Sequence, residues 1–181
     1  MLVLLGVSAA LALPSMRTGL DGLRAAAAAR HLAALIHSTR VRAVTQSVHV
    51  GLRFERDGER YRYAMFADGD GDGLRARDIR SGVDARLADF ERIGDRFPGV
   101  AIGIAARLPG IAGRETLPAG SDPIRFGASD GLTFSPLGTA TSGTLYLHHR
   151  SGRQLAVRVL GATGRVRILE FNEDTASWMT R

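Results

Sequence analysis

The chain opens on an apolar segment, MLVLLGVSAALAL, which spans residues 1–13 and carries no charge. Pro14 follows it directly. Beyond that proline, apolar residues recur at helical spacings of three, four and seven, at Leu20, Leu23, Ala27, Ala34 and Val41. The pattern predicts one long helix, kinked at Pro14, that is apolar all round over residues 1–13 and continues as an amphipathic helix over residues 14–46. We expect its apolar stripe to pack on the rest of the chain.

After residue 46 the apolar period changes to two, the period of a β-strand. The alternating residues are first Val48, Val50, Leu52 and Phe54 and then, after a turn at Asp57-Gly58, Tyr61, Tyr63 and Met65. Two alternating segments joined by an Asp-Gly turn predict a β-hairpin. Residues 68–123 are rich in Gly, Asp, Arg and Pro and are predicted as a long loop with one short strand at 100–105.

The carboxy-terminal part has the clearest strand pattern. Strands are predicted at 132–134, 144–148, 154–159 and 165–171, and the last three are separated by turns at 151–152 and 162–164. Short turns between consecutive strands predict an antiparallel meander. The predicted fold is α+β, in which the long amino-terminal helix packs on an antiparallel sheet, and residues 47–181 form a β-rich head.

Composition narrows the function classes. The chain has 181 residues, which suits one head domain and an appendage. It contains neither cysteine nor lysine, so thiol nucleophiles, zinc thiolate sites, Schiff-base lysines and P-loop lysines are excluded. The formal net charge is +6, and the arginines that produce it are scattered from Arg17 to Arg181. This scatter is typical of a solvated surface, and it offers nucleic acid no clustered basic patch.

One acidic segment has the composition of a metal loop. Residues 68–73 read Asp-Gly-Asp-Gly-Asp-Gly, and alternate carboxylates with flexible glycines are typical of calcium loops. The predicted calcium ligands are the carboxylates of Asp68, Asp70, Asp72 and Asp78. The twelfth position of an EF-hand loop starting at Asp68 is Ile79, so the usual last carboxylate is absent and Asp78 stands one residue early. The alternative is a solvated acidic turn.

Other short motifs do not support catalysis. Residues 127–131 match G-x-S-x-G, but a nucleophile elbow opens a helix, whereas here a strand is predicted to follow. His148 and His149 are neighbours on a predicted strand and point to opposite faces. His31 and His37 are six residues apart, off the helical i, i+4 spacing of metal ligands. We therefore expect ordinary surface histidines and a protein that is not an enzyme.

A family resemblance rests on residues 132–168. Phe134-Ser135-Pro136-Leu137-Gly138 has the form F-x-P-x-G, Gly143-Thr144-Leu145 reads G-T-L, and Gly164-Arg165-Val166 reads G-R-V. Together with an apolar start that holds Gly6 and ends at Pro14, this pattern strongly resembles the GspH/FimT family of minor pseudopilins, which are type IV pilin-like proteins. The resemblance implies a non-enzymatic subunit that acts by filament assembly in a type II secretion pseudopilus or a type IV pilus.

The resemblance also implies a location and partners. The apolar half-helix would hold the subunit in the bacterial inner membrane as a single pass before assembly and would pack with other pilin-like subunits afterwards, while the head faces the periplasm. Members of the family carry a basic leader and a G-F-T-x-x-E processing site before the apolar run, and this sequence shows neither. We therefore expect the sequence to begin inside the mature helix.

Two alternatives remain open from the sequence. The first is a minor pilin that binds DNA during DNA uptake, which the arginine excess suggests. The second is a secreted soluble β protein with a signal peptide, since Ala-Leu-Ala precedes Leu13, although no basic region precedes the apolar run.

Overall fold

A computed structural model describes residues 2–111, 115–127 and 131–181, with side chains from Leu20 onward. The predicted amino-terminal helix, α1, spans Leu2–Gln46. It ends before Ser47, whose φ of 56° is left-handed and cannot continue an α-helix. Among the residues with described side chains, no helix is long and apolar enough to cross a membrane. The side chains of the predicted half-helix 1–13 lie outside the described ones.

Short helices and strands follow helix α1. The helices are α2 (Ala76–Ser81) and α3 (Ile93–Arg96). The strands are β1 (Val50–Asp57), β2 (Arg60–Ala67), β3 (Ala85–Arg86), β4 (Val100–Ile102), β5 (Leu108–Pro109), β6 (Thr116–Leu117), β7 (Ile124–Phe126), β8 (Gly131–Phe134), β9 (Gly143–His149), β10 (Gln154–Leu160), β11 (Arg165–Asn172) and β12 (Ser177–Thr180). The six strands expected from alternation are confirmed as β1, β2, β8, β9, β10 and β11. Strand β4 confirms the short strand predicted at 100–105, whereas strands β3, β5, β6, β7 and β12 were not predicted.

Most strands belong to two antiparallel sheets. Sheet A has the order β3-β2-β1-β8, and sheet B has the order β12-β11-β10-β9-β4, with β7 pairing β9 beside β4. The predicted meander is confirmed, because Leu155 of β10 pairs Leu147 of β9 on one side and Glu170 of β11 on the other. Strands β5 and β6 form a separate small hairpin.

The main core lies where helix α1 meets both sheets. Leu32 and Ile36 of the helix pack with Leu52 and Phe54 of sheet A and with Leu145 of sheet B, and all five side chains are buried. Burying large apolar side chains on three elements supplies the main favourable free energy of folding. The predicted α+β class is therefore confirmed, with two sheets around the helix rather than one.

Residues 68–123 differ from the predicted long loop. This segment contains helices α2 and α3 and strands β3 to β6. Part of it covers sheet A, where Phe66 contacts Phe90 with ring centroids 6.2 Å apart. Another part covers sheet B, where Leu108 and Leu117 bury against Tyr146 in a second small core. Strands β3, β5 and β6 have two residues each, which is too short to show a period of two, so the sequence pattern could not reveal them.

Candidate functional site

Helix α1 is attached to the head through one apolar face. The side chains on this face are completely or almost completely buried, and in the part of the helix with described side chains they include Ala25, Ala28, Ala29, Leu32, Ile36 and Ala43. Their spacing keeps them on one side of an α-helix. Because an alanine side chain is a single methyl group, the helix backbone comes close to the strands it packs on.

The opposite face of helix α1 carries a second apolar stripe, which we call the exposed seam and which consists of Leu20, Leu23, Ala27, Ala34, Val41 and Val44. Leu20 and Leu23 are 52% and 61% exposed, and Val41 and Val44 are 47% and 46% exposed. The prediction that this stripe packs on the head is wrong. Both faces carry apolar residues at helical spacing, so periodicity could not show which face the sheets would cover.

The exposed seam has the spacing of a helix-pairing surface. If positions 30 and 37 are included, successive residues of the seam are separated alternately by three and by four positions. This is the heptad spacing of paired helices. Those two positions hold Arg30 and His37, both exposed. Polar residues inside a heptad seam restrict the register in which a second helix can pack. The seam can therefore take a partner helix in a defined position.

The carboxy-terminal motif residues lie at the end of this seam. Leu137 of the F-x-P-x-G turn is 89% exposed, and an added methyl group at Gly138 would come 3.4 Å from a methyl of Val44. The Arg40 Nε donates a hydrogen bond to the Gly138 carbonyl at 3.1 Å. The turn is thus fastened to the helix, and Leu137 extends the apolar surface from the helix onto the head.

The acidic loop begins with Asp68, a buried carboxylate that accepts hydrogen bonds from the loop. Its Oδ1 accepts from the N–H groups of Gly71 at 2.8 Å and Asp70 at 3.2 Å, and its Oδ2 accepts from Gly73 at 2.8 Å. His49 Nδ1 lies 3.3 Å from Oδ2. Burial acts to raise the pKa of Asp68, but the three hydrogen bonds and His49 outweigh it and lower the pKa below its ordinary value. Asp68 therefore organises the loop as an ionised acceptor.

Asp84 is a second buried carboxylate of this loop, and the sequence analysis missed it. Its Oδ1 accepts from the Gly69 N–H at 3.3 Å, and its Oδ2 accepts from the Arg75 N–H at 3.0 Å. Carboxylate oxygens of Asp68, Asp70 and Asp84 lie within 4.8 Å of one another. No local motif marks Asp84 in the sequence, because the tertiary structure alone brings it to the loop.

A second group in the loop joins Asp70, Asp72 and Asp78, whose carboxylate oxygens also lie within 4.8 Å of one another. Arginines balance part of this charge: Arg77 contacts Asp72 at 3.2 Å and Asp78 at 3.1 Å, and Arg75 pairs with Asp72. A hydrogen bond from the Asp72 N–H lowers the pKa of Asp70, yet desolvation and the nearby carboxylates outweigh it and raise that pKa.

The four residues predicted as calcium ligands, Asp68, Asp70, Asp72 and Asp78, are thus brought together, and Asp70 belongs to both groups. Carboxylate oxygens are the ligands that Ca²⁺ prefers. Backbone N–H groups already contact both oxygens of Asp68, whereas Asp70 is exposed. The geometry lets Asp70, Asp72 and Asp78 hold a cation if their arginines turn away. Calcium binding stays a prediction.

The histidines do not form a metal site among the described residues. His148 and His149 lie at successive positions of β9 and face opposite sides of sheet B, as the strand period requires. The prediction of surface histidines is wrong for His149, which is 0% exposed and places its Nε2 3.6 Å from Asp21 Oδ1 of helix α1. His37 is exposed and His31 is half-buried.

The G-x-S-x-G segment cannot be assessed as a whole, since Ala128, Ser129 and Asp130 lie outside the described residues. Strand β8 begins at Gly131, so a strand follows the motif, as the sequence predicted. A nucleophile elbow needs a helix at that point.

A comparison with known protein families finds a match to this chain. The family described as Type II transport protein GspH matches residues 28–164. This range includes most of the side-chain-described helix and the motif residues of the carboxy-terminal strands. None of the curated protein sequences matches the chain.

Two solved structures are similar to the chain. One is the minor pseudopilin EpsH from the Type 2 Secretion System of Vibrio cholerae, with a TM-score of 0.50 and 14% identity, covering 83% of this chain and 99% of that one. A second crystal structure of EpsH has a TM-score of 0.48 and 14% identity, covering 80% of this chain and 92% of that one. At this identity the first likeness shows a shared fold of a long helix with antiparallel sheets.

Proposed function

The chain belongs to the GspH family of type II transport proteins, and from this premise we propose that it is a non-enzymatic minor pseudopilin that acts by assembling with other pilin-like subunits during protein secretion. The observation that carries the proposal is the exposed seam of helix α1. A subunit that works by assembly needs a surface that is left uncovered when the head has folded. The seam is such a surface on the element that the family shares.

The physical argument rests on what the seam would gain from a partner. Monomeric soluble proteins seldom expose large apolar patches, and the seam exposes two pairs of large apolar side chains, Leu20 with Leu23 and Val41 with Val44. Burying a leucine or valine side chain fully contributes about 1.5 to 3 kcal/mol, and the half-exposed members of the seam would contribute the remaining part of that. A helix of a neighbouring subunit, packed along the seam, would remove Leu20, Leu23, Val41 and Val44 from water together.

The location follows from the same proposal. Membership in the family supports a pilus-type structure in the periplasm, where the β-rich head would lie. The uncharged residues 1–13 supply part of the about 20 apolar residues that a spanning helix needs, so they would help to hold the subunit in the inner membrane before assembly and would pack among neighbouring helices afterwards. Helix α1 is continuous from Leu2 to Gln46, so the seam and the apolar segment belong to one helix.

Charge placed in the seam tests the proposal. The gene in the bacterial chromosome is replaced by one that carries Leu23→Glu or Val41→Glu. Both variants should fold as the wild type does, but they should not be cross-linked into the secretion pseudopilus or purified with it. The reason is that a packed seam would have to bury an unpaired carboxylate, which costs several kcal/mol. Secretion of the exported proteins should decrease as less of the variant is incorporated into the pseudopilus.

A matched control is Val83→Glu, which places the same charge at a valine that is 44% exposed and lies outside helix α1. This variant should be incorporated normally. Normal incorporation of both seam variants would show that assembly does not use this face of the helix.

A further inference from the structure

The outer face of sheet B carries arginines from neighbouring strands in one row. The register pairs Arg125 of β7 with Thr144 of β9, Thr144 with Arg158 of β10, and Arg158 with Arg167 of β11. The neighbours of each arginine along its strand belong to the main core, so the arginines point away from it. Arg165, two positions before Arg167, lies on the same face. We call Arg125, Arg158, Arg165 and Arg167 the arginine row.

The arginine row is unfavourable for the isolated chain. Arg158 and Arg167 are directly opposite on antiparallel strands, where like charges destabilise a sheet. Among the described residues, no carboxylate forms a salt bridge with Arg158, Arg165 or Arg167. Arg165 and Arg167 are exposed. A charge arrangement of this kind is stabilised by an anion that lies across the strands.

The chain itself shows which chemistry the row accepts. Glu115, just before β6, places its Oε2 2.8 Å from Arg125 Nη2. Arg158 Nη1 donates to the main-chain carbonyl of Ile111 at 3.0 Å. Thus one end of the row already contacts a carboxylate and a backbone carbonyl from the segment that connects β5 with β6. The other end, at Arg165 and Arg167, has no such cover from the described residues.

The surroundings favour a peptide over a polynucleotide. Arg125 and Arg158 line a cleft of about 470 Å³ together with Glu115 and Asp122. A nucleic acid carries a negative charge on every unit of its backbone and cannot avoid these two carboxylates, whereas a peptide can place uncharged residues beside them and its carboxylates beside the arginines. An extended peptide carries carboxylates on side chains and carbonyls on the main chain, which are the two groups the row already contacts.

We infer that the arginine row is a docking site for an extended acidic segment of a partner protein, which lies beside the β5–β6 hairpin and pairs its carboxylates with Arg158 and Arg167. Guanidinium groups bind carboxylates with two parallel hydrogen bonds, which gives the site specificity as well as affinity. Glu115 competes with the partner for Arg125. This site lies on sheet B, apart from the exposed seam of helix α1.

Fluorescence anisotropy on the purified full chain in detergent tests the inference. The probes are a labelled ten-residue peptide with glutamate at every second position, the same peptide with glutamine in place of glutamate, and a labelled DNA duplex. We expect the acidic peptide alone to bind well. The double variant Arg158→Gln, Arg167→Gln should weaken its binding at least tenfold, whereas Arg60→Gln, Arg150→Gln, which removes the same charge from exposed arginines elsewhere, should change it less than threefold.

Glu115→Gln should tighten peptide binding severalfold, because Arg125 then becomes available to the peptide. The control Glu173→Gln removes one negative charge from an exposed glutamate elsewhere and should not tighten binding. Equal weakening by the two arginine pairs would overturn the inference. So would tighter binding of the duplex than of the acidic peptide with the same dependence on Arg158 and Arg167, and that result would make nucleic acid the occupant.

Discussion

Two glycines of the carboxy-terminal motif are required by the position of Arg40. Gly138 and Gly164 have φ values of 78° and 61°, in the left-handed region that favours glycine. A methyl group added at Gly164 would lie 2.7 Å from the Gly138 carbonyl oxygen and 2.9 Å from Arg40 Nε. The motif therefore encodes a close approach of two turns and one helical side chain.

Gly164→Val should lower the free energy of unfolding by about 1 to 3 kcal/mol from backbone strain, with a further loss from the contact with Gly138. Gly152→Val is the matched control, because Gly152 also has a positive φ, of 92°, but an added methyl group there meets nothing within 4 Å. In thermal unfolding, Gly164→Val should have a clearly lower melting temperature than Gly152→Val. Equal melting temperatures would show that the close approach does not matter.

His31 makes the attachment of helix α1 depend on pH. Burial lowers its pKa below the ordinary value of 6.5, and the charge of Arg96 lowers it further, while Glu91, 3.9 Å from His31 Nε2, partly opposes them. The unfolded chain therefore binds more protons than the folded chain as the pH falls through 6.5. Stability should be fully present above that pH and decrease below it.

His31→Gln should make stability fall less steeply between pH 7 and pH 5, measured by urea unfolding at each pH. The slope of the free energy of unfolding against pH should be reduced and not abolished, because burial also lowers the pKa of His148. His37→Gln, which changes an exposed histidine of the same helix, should leave the wild-type slope. If both variants keep that slope, His31 does not contribute to it.

The acidic loop allows a direct metal test. If Asp70 and Asp72 bind calcium at a weak extracytoplasmic site, with a dissociation constant of about 10⁻⁴ to 10⁻³ M, a tenfold excess should stabilise the chain by about 1.4 kcal/mol. The full chain should then melt at a higher temperature in millimolar calcium than in chelator, and the double variant Asp70→Ala, Asp72→Ala should not. The control Asp89→Ala, Asp174→Ala removes two exposed carboxylates elsewhere and should keep the response. Identical melting of the wild type in both buffers would leave the loop as an acidic turn held by arginines.

Helix α1 is an element with two apolar faces and two uses. The face with Leu32 is buried by both sheets, and the face with Leu23 is left to water. The same substitution on the two faces therefore separates packing inside the head from packing between subunits.

Leu32→Ala should cost about 2 to 5 kcal/mol, because it leaves a cavity in the core. Leu23→Ala should change the free energy of unfolding by no more than about 0.5 kcal/mol, as surface substitutions usually do. Urea unfolding of the two variants measures the difference. A similar loss for both would mean that the exposed seam is covered within a single chain.

At the scale of the whole molecule, the apolar amino-terminal segment and the head should behave differently in water. The full chain should need detergent, because residues 1–13 form a continuous apolar segment without a charge. A shortened chain that begins at Arg24 keeps the buried face of helix α1 and should be a soluble monomer by size-exclusion chromatography with light scattering. Equal solubility of the two chains would contradict an anchoring role for residues 1–13.

The elements that could be predicted from the amino-acid sequence are those whose signal is local. Helix α1 and the strands β1, β2 and β9 to β11 follow from periods of 3.6 and two, which depend on neighbouring residues alone. The motif residues between 132 and 168 likewise indicated the family that the comparison then showed. In these segments the local preference and the final fold agree, so no tertiary contact was needed to identify them.

The surfaces that these elements bury, and the residues that they bring together, depend on the packing of the folded chain. The two sheets bury one of the two apolar faces of helix α1. Asp84 hydrogen-bonds to an acidic loop that begins sixteen residues earlier. Strand pairing places Arg125, Arg158 and Arg167 in one row. The physical reason is the same in each case. Periodicity reports on residues close in the chain, whereas burial and charge clustering depend on which distant strands pair and in which register.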